Sequence, residues 1–243
     1  MEVYWLEQTK EDVPAADDWL SPAETARLNT MRFTKRRADW RLGRWTAKNA
    51  LAEYLLYLKA PVHPQILASI EIRPGPSGAP EAFFQNKPAA AAVSLSHRVG
   101  IAACAVAGSN GILGCDLETI ETRSEAFLSD YFTASEQSFV AEVPAVDRPR
   151  LLALLWSAKE STLKALHEGL RIDTRNVMVS SWDESFEFDG WWPIVVRYIE
   201  LRTFCGWWQH SGGIVRTLVA APPPNPPIRF RVPISTSAAT QRS

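Results

Sequence analysis

The chain has 243 residues, 46% of them hydrophobic, and 26 lysines and arginines against 27 aspartates and glutamates give a net charge of −1. Such a balanced charge does not favour nucleic acid or an anionic membrane surface as a partner. No apolar run is long enough to cross a bilayer, and the N-terminal residues MEVYWLEQTKEDVP lack the order of a secretory signal. The three cysteines stand singly without metal-ligand spacing, so we expect reduced thiols and a cytoplasmic protein.

The first predicted elements are a strand at MEVYWLEQ and two helices. Ser21, followed by Pro22 and Glu24, predicts a capped helix start. A long helix is expected from about Lys35 to Lys59, ending before Pro61. The Gly- and Pro-rich segment RPGPSGAPEAFFQNKP after it predicts a loop.

The middle of the chain alternates short strands with helices. The segments VSLSH and GIAACAVAG predict strands around Arg98, and residues 108–111 (GSNG) predict a hairpin turn into the strand ILGCDLE. Residues 121–140 and 150–170 are predicted to be helical. Four alternating segments follow, at RNVMVSSW, SFEFDGW, IVVRYIEL and GIVRTLVAA. The pairs Trp191-Trp192 and Trp207-Trp208 are expected in the core.

This order of elements predicts an α+β protein with two similar halves that meet near residue 110. The predicted division is an N-terminal half, residues 1–110, and a C-terminal half, residues 111–221. Residues 222–243 begin with a run of prolines and end in small polar residues, so a loosely ordered tail is expected there.

A first group of charges lies along the long predicted helix. Arg37, Arg41, Arg44 and Lys48 are spaced i, i+4, i+7 and i+11, which places them along one helix face. A solvated surface is one interpretation. No acidic residue stands four positions from Arg37 or Arg44, which favours the other interpretation, an external anion.

A second group is the carboxylate pair of Asp116 and Glu118 in ILGCDLE. Residues two apart on a strand point to the same side, and two like charges there repel unless a cation or water screens them. Oxygen ligands without His or Cys suit Mg²⁺ better than zinc. Most pairs of this spacing are only surface acids, so the pair alone leaves both interpretations open.

The third group lies in the predicted helix at WSAKESTLKAL. Lys159 falls on the same arc as the leucines, including Leu155, Leu163 and Leu170, while Glu160 and Lys164 share a second face. A cation on an apolar face needs an anionic partner, either a neighbouring acid in a buried ion pair or an external anion. Together, the three groups contain what is needed to bind a magnesium-bound diphosphate, and no glycine-rich phosphate loop is present.

Two segments resemble the motifs of the Sfp-type 4′-phosphopantetheinyl transferases, which move the phosphopantetheine arm of coenzyme A onto a serine of a carrier protein. One is LGCDLE, with Asp116 and Glu118, and the other contains Trp156, Lys159, Glu160 and Lys164. KRRADWRLGRW and Ser96-His97 are also similar to this family, and the resemblance spans about residues 30–170. One departure is Ser77, which precedes Gly-Ala-Pro where many relatives have lysine; Arg73 or Lys87 are the candidates for replacing it.

The resemblance implies a 4′-phosphopantetheinyl transferase fold of two α/β halves with pseudo-two-fold symmetry and the site in the cleft between them. It implies Asp116, Glu118 and Glu160 as Mg²⁺ ligands, and Glu160, Lys164 and Asp116 as catalytic residues. The residues implied to bind coenzyme A are Arg37, Arg44, Ser96, His97, Lys159 and Lys164, and Lys48 is added to them on helical geometry alone. Without its position after Ser96, His97 would be interpreted as a structural histidine.

The implied reaction converts an apo acyl or peptidyl carrier protein to its holo form and releases 3′,5′-ADP, catalysed by a monomer. Two alternatives belong to other functional classes. One is a non-catalytic module of the same fold that binds carrier domains. The other is a metal-dependent phosphohydrolase that acts on a small diphosphate without a carrier protein.

Overall fold

The computed structural model describes residues 1–56, 63–182, 184–199 and 202–230. The α-helices in these ranges are α1 Pro22–Asn29, α2 Thr34–Leu56, α3 Pro64–Ala68, α4 Glu125–Tyr131, α5 Ala134–Glu142 and α6 Arg148–Ala165. The strands of the N-terminal part are β1 Val3–Thr9, β2 Ile70–Pro74, β3 Pro80–Phe84, β4 Lys87–Pro88, β5 Ala91–Arg98 and β6 Ile101–Gly108. Those that follow are β7 Ile112–Thr119, β8 Val177–Trp182, β9 Trp192–Tyr198, β10 Arg202–Ser211, β11 Ile214–Ala221 and β12 Ile228–Arg229.

The strands form two larger sheets and a small one. The first sheet has the order β12-β1-β6-β5, the second β7-β11-β10-β9-β8, and the small sheet β2-β3-β4. In the first sheet β1 pairs antiparallel with β6, which pairs antiparallel with β5. In the second, β7 pairs in the same manner with β11, and β11 with β10. The two halves of the chain therefore share this arrangement of three strands, and the mixed α+β class is as predicted.

The two larger sheets pack face to face, with a helix on each outer side. Trp5 and the alanines of β6 share one apolar cluster with Leu117, Trp191 and Trp207, and this cluster fills the space between the sheets. Helix α2 packs on β1 and β6, and α6 packs on β7 and β11. Trp208 is fully buried on the α6 side because adjacent residues of a strand point to opposite faces. The core position expected for the tryptophan pairs is confirmed for Trp191, Trp207 and Trp208, while Trp192 is partly buried and packs against the core.

The start of α1 was predicted correctly, whereas the helical segment predicted at residues 121–140 begins only at Glu125 and is interrupted between α4 and α5. Ser21 caps α1, since its Oγ accepts from the Glu24 N–H at 3.3 Å and its own N–H donates to Glu24 Oε2 at 3.1 Å. Helix α2 covers the predicted long helix as far as Leu56. The end predicted near Lys59, before Pro61, lies outside the described residues. None of the described helices combines the length and the apolar character needed to span a membrane.

Three local predictions were wrong. The Gly- and Pro-rich loop contains β3 and β4, because its turns reverse the chain so that β3 pairs with β2 and with β4. The turn at residues 108–111 does not make a hairpin, since β6 and β7 belong to different sheets and the turn carries the chain between them. SFEFDGW forms only a single bridge, between Phe188 and Trp191, whereas the unpredicted β10 is a ten-residue strand.

The start of the predicted tail is ordered, contrary to expectation. Strand β12 pairs in parallel with β1, and the Phe230 ring stacks on that of Tyr4 with centroids 4.9 Å apart. Backbone pairing and an aromatic contact outweigh the local effect of the prolines. Residues 231–243, the rest of the predicted tail, lie outside the described part of the chain.

Candidate active site

Two serines of β5 join the two larger sheets at their edges. Ser94 Oγ accepts from the Cys115 N–H at 2.9 Å, and Ser96 Oγ accepts from the Leu117 N–H at 3.1 Å. Strands β5 and β7 are the edges of their sheets, so these bonds satisfy backbone donors that no strand partner reaches. Ser96 also donates to Asp116 Oδ1 at 2.8 Å, which places Asp116 at the junction of the two halves.

Gly114 brings α6 unusually close to β7. A Cβ atom at position 114 would lie 1.8 Å from the carbonyl oxygen of Ser161 and 2.7 Å from the nitrogen of Ala165. Only glycine leaves room for this contact. Because α6 rests on the strand here, Lys164 Nζ reaches Asp116 Oδ1 at 2.7 Å and the Cys115 carbonyl oxygen at 3.1 Å.

The two carboxylates of β7 each contact protein donors through one oxygen. Asp116 Oδ1 accepts from Ser96 and Lys164, while Asp116 Oδ2 is buried without a hydrogen-bond partner. Glu118 Oε1 accepts from the Thr119 N–H at 2.9 Å and contacts Arg98 at 2.8 Å and Arg123 at 2.6 Å. All the contacts of Glu118 in the described part of the chain fall on Oε1. Each carboxylate thus keeps a second oxygen for another ligand.

Glu160 is half-buried on α6 and has no hydrogen bond or ion pair within the described ranges. Burial raises its pKa, and the negative charges of Asp116 and Glu118 raise it further, while Lys164 acts in the opposite direction. In Lys164, burial alone would lower the pKa, but the anionic neighbours, Asp116 first, outweigh burial and the pKa is raised. Three carboxylates and one lysine therefore interact at this site.

The donor atoms suit a hard divalent cation. A buried Asp116 Oδ2 without a partner and mutually repelling carboxylates are features that a cation would relieve. Among the described residues, no group of three or more His, Cys, Asp or Glu side chains lies close enough together to hold a metal ion as they stand. The chemistry of Asp116, Glu118 and Glu160 fits Mg²⁺, while their assembly as a complete ligand set stays a prediction.

A cavity of about 870 Å³ adjoins this site at Lys164, and cationic side chains outnumber acidic ones in its wall, although Asp116, Glu118 and Glu160 do not line it. Lys164 and Ser94 line it, with Arg44 from α2 on its wall. The charged residues that line it are Arg27, Arg44, Arg73, Lys164, Arg171, Glu24, Glu71 and Glu168. Burial lowers the pKa of Arg44. The negative charge of Glu24 opposes this shift, and the positive charge of Arg27 adds to it. Four guanidinium groups and one ammonium group face this cavity with three carboxylates, and this excess of positive charge favours a polyanionic ligand.

The prediction that Lys159 contacts a phosphate of coenzyme A is contradicted. Its side chain is fully buried, and Nζ donates to Glu136 Oε2 and to the Thr174 carbonyl, both at 3.0 Å, and also to the Val177 carbonyl. All three protons of the ammonium group are used inside the protein. The alternative interpretation, a buried ion pair with a neighbouring acid, is the one that the structure shows.

Lys48 is also wrongly assigned to coenzyme A. It is fully buried, pairs with Glu24, and donates to the carbonyls of Trp19 at 2.9 Å and Leu67 at 3.1 Å. Its partners lie on α1, α3 and the segment before α1, which the sequence spacing of α2 cannot reveal. Lys48 therefore fastens α2 to these elements and has no donor left for a ligand.

Three other residues of the predicted site, Arg37, Arg41 and His97, do not line the cavity. Arg37 donates to the Leu28 carbonyl at 2.7 Å, and Arg41 bonds Asp17 at 2.8 Å, so both tie α2 to nearby segments. Neither they nor His97 line the cavity. His97 is exposed, and it points away from Ser96 because the two are neighbours on a strand. Of the predicted arginine face, Arg44 is the member that reaches the cavity.

The region of Ser77 adds two arginines to the cavity wall. Arg73 lines the cavity and bonds Glu71 at 2.7 Å, whereas Lys87 does not line it. Arg171 lines it too, and its Nη2 donates to the Ser77 carbonyl at 3.3 Å. Arg171 follows α6 in a short turn, so no periodic pattern marks it in the sequence. Arg27, Arg98 and Arg123 also lie outside the sequence motifs, so the sequence patterns did not identify them either.

Parts of the chain are similar in sequence to known proteins. Residues 112–205 match the model of the 4′-phosphopantetheinyl transferase superfamily. The chain is 27% identical over 168 residues to the 4′-phosphopantetheinyl transferase HetI of Nostoc sp. (strain PCC 7120 / SAG 25.82 / UTEX 2576). This alignment covers 68% of this chain and 67% of HetI. The segment matched by the superfamily begins at β7, so it contains Asp116, Glu118, Glu160 and Lys164.

Proposed function

We propose that this protein is an Sfp-type 4′-phosphopantetheinyl transferase, which moves phosphopantetheine from coenzyme A to a serine of an acyl or peptidyl carrier protein and releases 3′,5′-ADP. The observation that carries this proposal is the ion pair of Lys164 with Asp116, beside Glu160 and at the junction of the two halves. The match to the superfamily and the similarity to HetI support it.

The fold supports the proposed position of the site. Residues 1–110 and 111–221 contribute the shared strand arrangements β1-β6-β5 and β7-β11-β10, and we propose that a pseudo-two-fold axis relates them. The candidate site lies where β5 meets β7, so a single chain supplies both walls of the cleft. This supports a monomer as the active form. A cytoplasmic location is likewise a proposal, based on the isolated cysteines.

Coenzyme A would occupy the cation-rich cavity. Arg44, Arg27 and Lys164 would hold its phosphate groups, since ammonium and guanidinium groups bind phosphate through charge-assisted hydrogen bonds. Ser96 would act indirectly, by fixing Asp116 through the bond to Oδ1. Arg37 and His97, which the family resemblance also suggested, are not needed for this arrangement.

Asp116, Glu118 and Glu160 would hold Mg²⁺, which when bound supplies positive charge to the diphosphate. Glu160 would take the proton from the hydroxyl of the carrier serine as the general base. The serine oxygen forms a bond to the phosphorus that carries pantetheine. The bond from that phosphorus to the 3′,5′-ADP oxygen breaks, and Lys164 stays beside the phosphoryl oxygens to offset their charge.

The test is mass spectrometry of apo carrier proteins after incubation with the protein, coenzyme A and Mg²⁺. We expect a mass gain matching phosphopantetheine on one serine, and no gain with Glu160→Gln that is folded by circular dichroism. Coenzyme A binding without modification of any carrier in a panel of acyl and peptidyl types would instead support the non-catalytic module. Release of 3′,5′-ADP without a carrier would support the phosphohydrolase.

A further inference from the structure

Two arginines that the sequence motifs do not include converge on Glu118. Arg98 Nη2 lies 2.8 Å and Arg123 Nη2 2.6 Å from the same oxygen, Glu118 Oε1. Arg98 ends β5 of the first sheet, and Arg123 follows β7 of the second sheet. The two cations therefore reach the carboxylate from separate segments of the chain.

Much of the negative charge of this site is compensated before any metal binds. The buried or half-buried acids are Asp116, Glu118 and Glu160; Lys164 contacts Asp116, and Arg98 and Arg123 contact Glu118. Glu121 contacts both arginines, Arg123 at 3.0 Å and Arg98 at 3.8 Å, but its side chain is 51% exposed, so water screens it more strongly. Two guanidinium groups therefore already share the oxygen of Glu118 that faces them.

These contacts weaken the binding of a free divalent cation. A cation would relieve the repulsion among the carboxylates, but a bare dication would also add two positive charges next to the two guanidinium groups that contact Glu118. A dication that carries a diphosphate adds little net charge, because the phosphates bring their own negative charges. The same two arginines would also attract those phosphates.

We propose that Arg98 and Arg123 make this carboxylate site select a divalent cation together with the diphosphate of its substrate, and disfavour the cation alone. The inference rests on the proposed function, which supplies the diphosphate. Arg98 and Arg123 act through Glu118 and are therefore positioning and charge-balancing residues. By linkage, the factor by which coenzyme A strengthens cation binding equals the factor by which the cation strengthens coenzyme A binding.

The experiment measures Mn²⁺ binding by electron paramagnetic resonance, with and without saturating coenzyme A. In the unaltered protein we expect weak binding of Mn²⁺ alone and much tighter binding with coenzyme A. Arg123→Gln and Arg98→Gln should each bind free Mn²⁺ about tenfold more tightly, and the coupling to coenzyme A should shrink by a similar factor. Arg123→Lys, which keeps the charge, should restore the original coupling.

Arg150→Gln is the matched control. Arg150 pairs with Glu184 at 2.8 Å and is 30% exposed, so its loss removes an arginine ion pair elsewhere on the surface. It should leave both Mn²⁺ affinities unchanged. Thermal denaturation of every variant separates a loss of folding from a change in binding.

Two other outcomes would separate a failure of the proposed function from a failure of this inference alone. If the unaltered protein binds no coenzyme A with or without cation, the proposed function fails and this inference fails with it. If it binds coenzyme A, but Arg123→Gln and Arg98→Gln bind free Mn²⁺ no more tightly, or more weakly, only the inference is overturned. Weaker binding would mean that the arginines hold Glu118 in place for the cation.

Discussion

Lys164 Nζ lies 2.7 Å from Asp116 Oδ1 and joins α6 of the C-terminal half to the strand at the junction of the two sheets. The contact depends on the close approach of α6 to β7 at Gly114 and on Ser96, which binds the same oxygen of Asp116. It makes Lys164 the cation that both lines the cavity and contacts a carboxylate of the site. The predictions below probe this relationship and its surroundings.

Replacing Lys164 with methionine should weaken coenzyme A binding, and it should cost less stability than the loss of the fully buried Lys159. The Lys164 side chain is 29% exposed, and Asp116 retains Ser96 as a donor, so water and Ser96 partly compensate the charge that Asp116 keeps. A charge-assisted contact to phosphate contributes about 2 kcal/mol, so affinity should fall roughly 30-fold. Isothermal titration calorimetry with coenzyme A measures the loss, and an unchanged affinity would contradict the role of Lys164.

The Lys159→Met variant should lose stability and keep its affinity for coenzyme A. Removing the buried ammonium leaves Glu136 without its ion-pair partner, which costs about 3–5 kcal/mol of unfolding free energy. The fraction that remains folded should bind coenzyme A as the unaltered protein does, because Lys159 does not face the cavity. Urea unfolding and calorimetry on the same samples test both halves of the prediction. A selective loss of affinity without loss of stability would return Lys159 to the phosphate site.

Glu160→Gln should lower the rate of transfer by about 10²–10⁴-fold, the usual contribution of a general base. A general base must be ionised to act, so the activity should also fall as pH drops through the range in which a carboxyl group takes up a proton. The rate of modification of one carrier protein, measured from acid to neutral pH under saturating coenzyme A, gives the profile. A profile unchanged by Glu160→Gln would exclude this residue as the base.

The same substitution should stabilise the folded protein at neutral pH. A carboxyl whose pKa is raised on folding binds its proton more tightly in the folded state, so stability falls as pH rises through that window. Glutamine removes the burial and repulsion of the ionised form, and the difference should vanish below the ordinary carboxyl pKa, where both side chains are neutral. Melting temperatures of the two proteins across pH check the sign.

Gly114→Ala should damage both fold and site. The added Cβ would overlap the Ser161 carbonyl, so α6 must move away from β7, and overpacking of this kind costs about 1–3 kcal/mol or more. The movement also separates Lys164 from Asp116, so coenzyme A affinity should fall along with stability. A suitable control is Gly43→Ala in α2, where a Cβ meets nothing within 4 Å. Equal behaviour of the two variants would show that the close packing at Gly114 is not required.

Local patterns predicted the features that depend on nearby residues. The capping of α1 by Ser21, most of α2 and the strands β5, β6 and β7 follow from spacing and side-chain type over a few positions. The failures at β3, β4 and β10 have one cause: each of these strands pairs with the strand next to it along the chain, and this pairing overrides turn-forming or uneven local composition.

The sequence by itself determined which chemical groups are available: a carboxylate pair on one strand, a Glu and two lysines on one helix, and a helix rich in arginine. Only the tertiary structure decided which cations face the cavity. Lys48 and Lys159 find carboxylates and carbonyls from other elements and are buried, while Arg27 and Arg171, which no motif marks, lie on the cavity wall. A charged side chain is buried only where hydrogen-bond and ion-pair partners compensate the cost of removing it from water, and long-range packing brings those partners together.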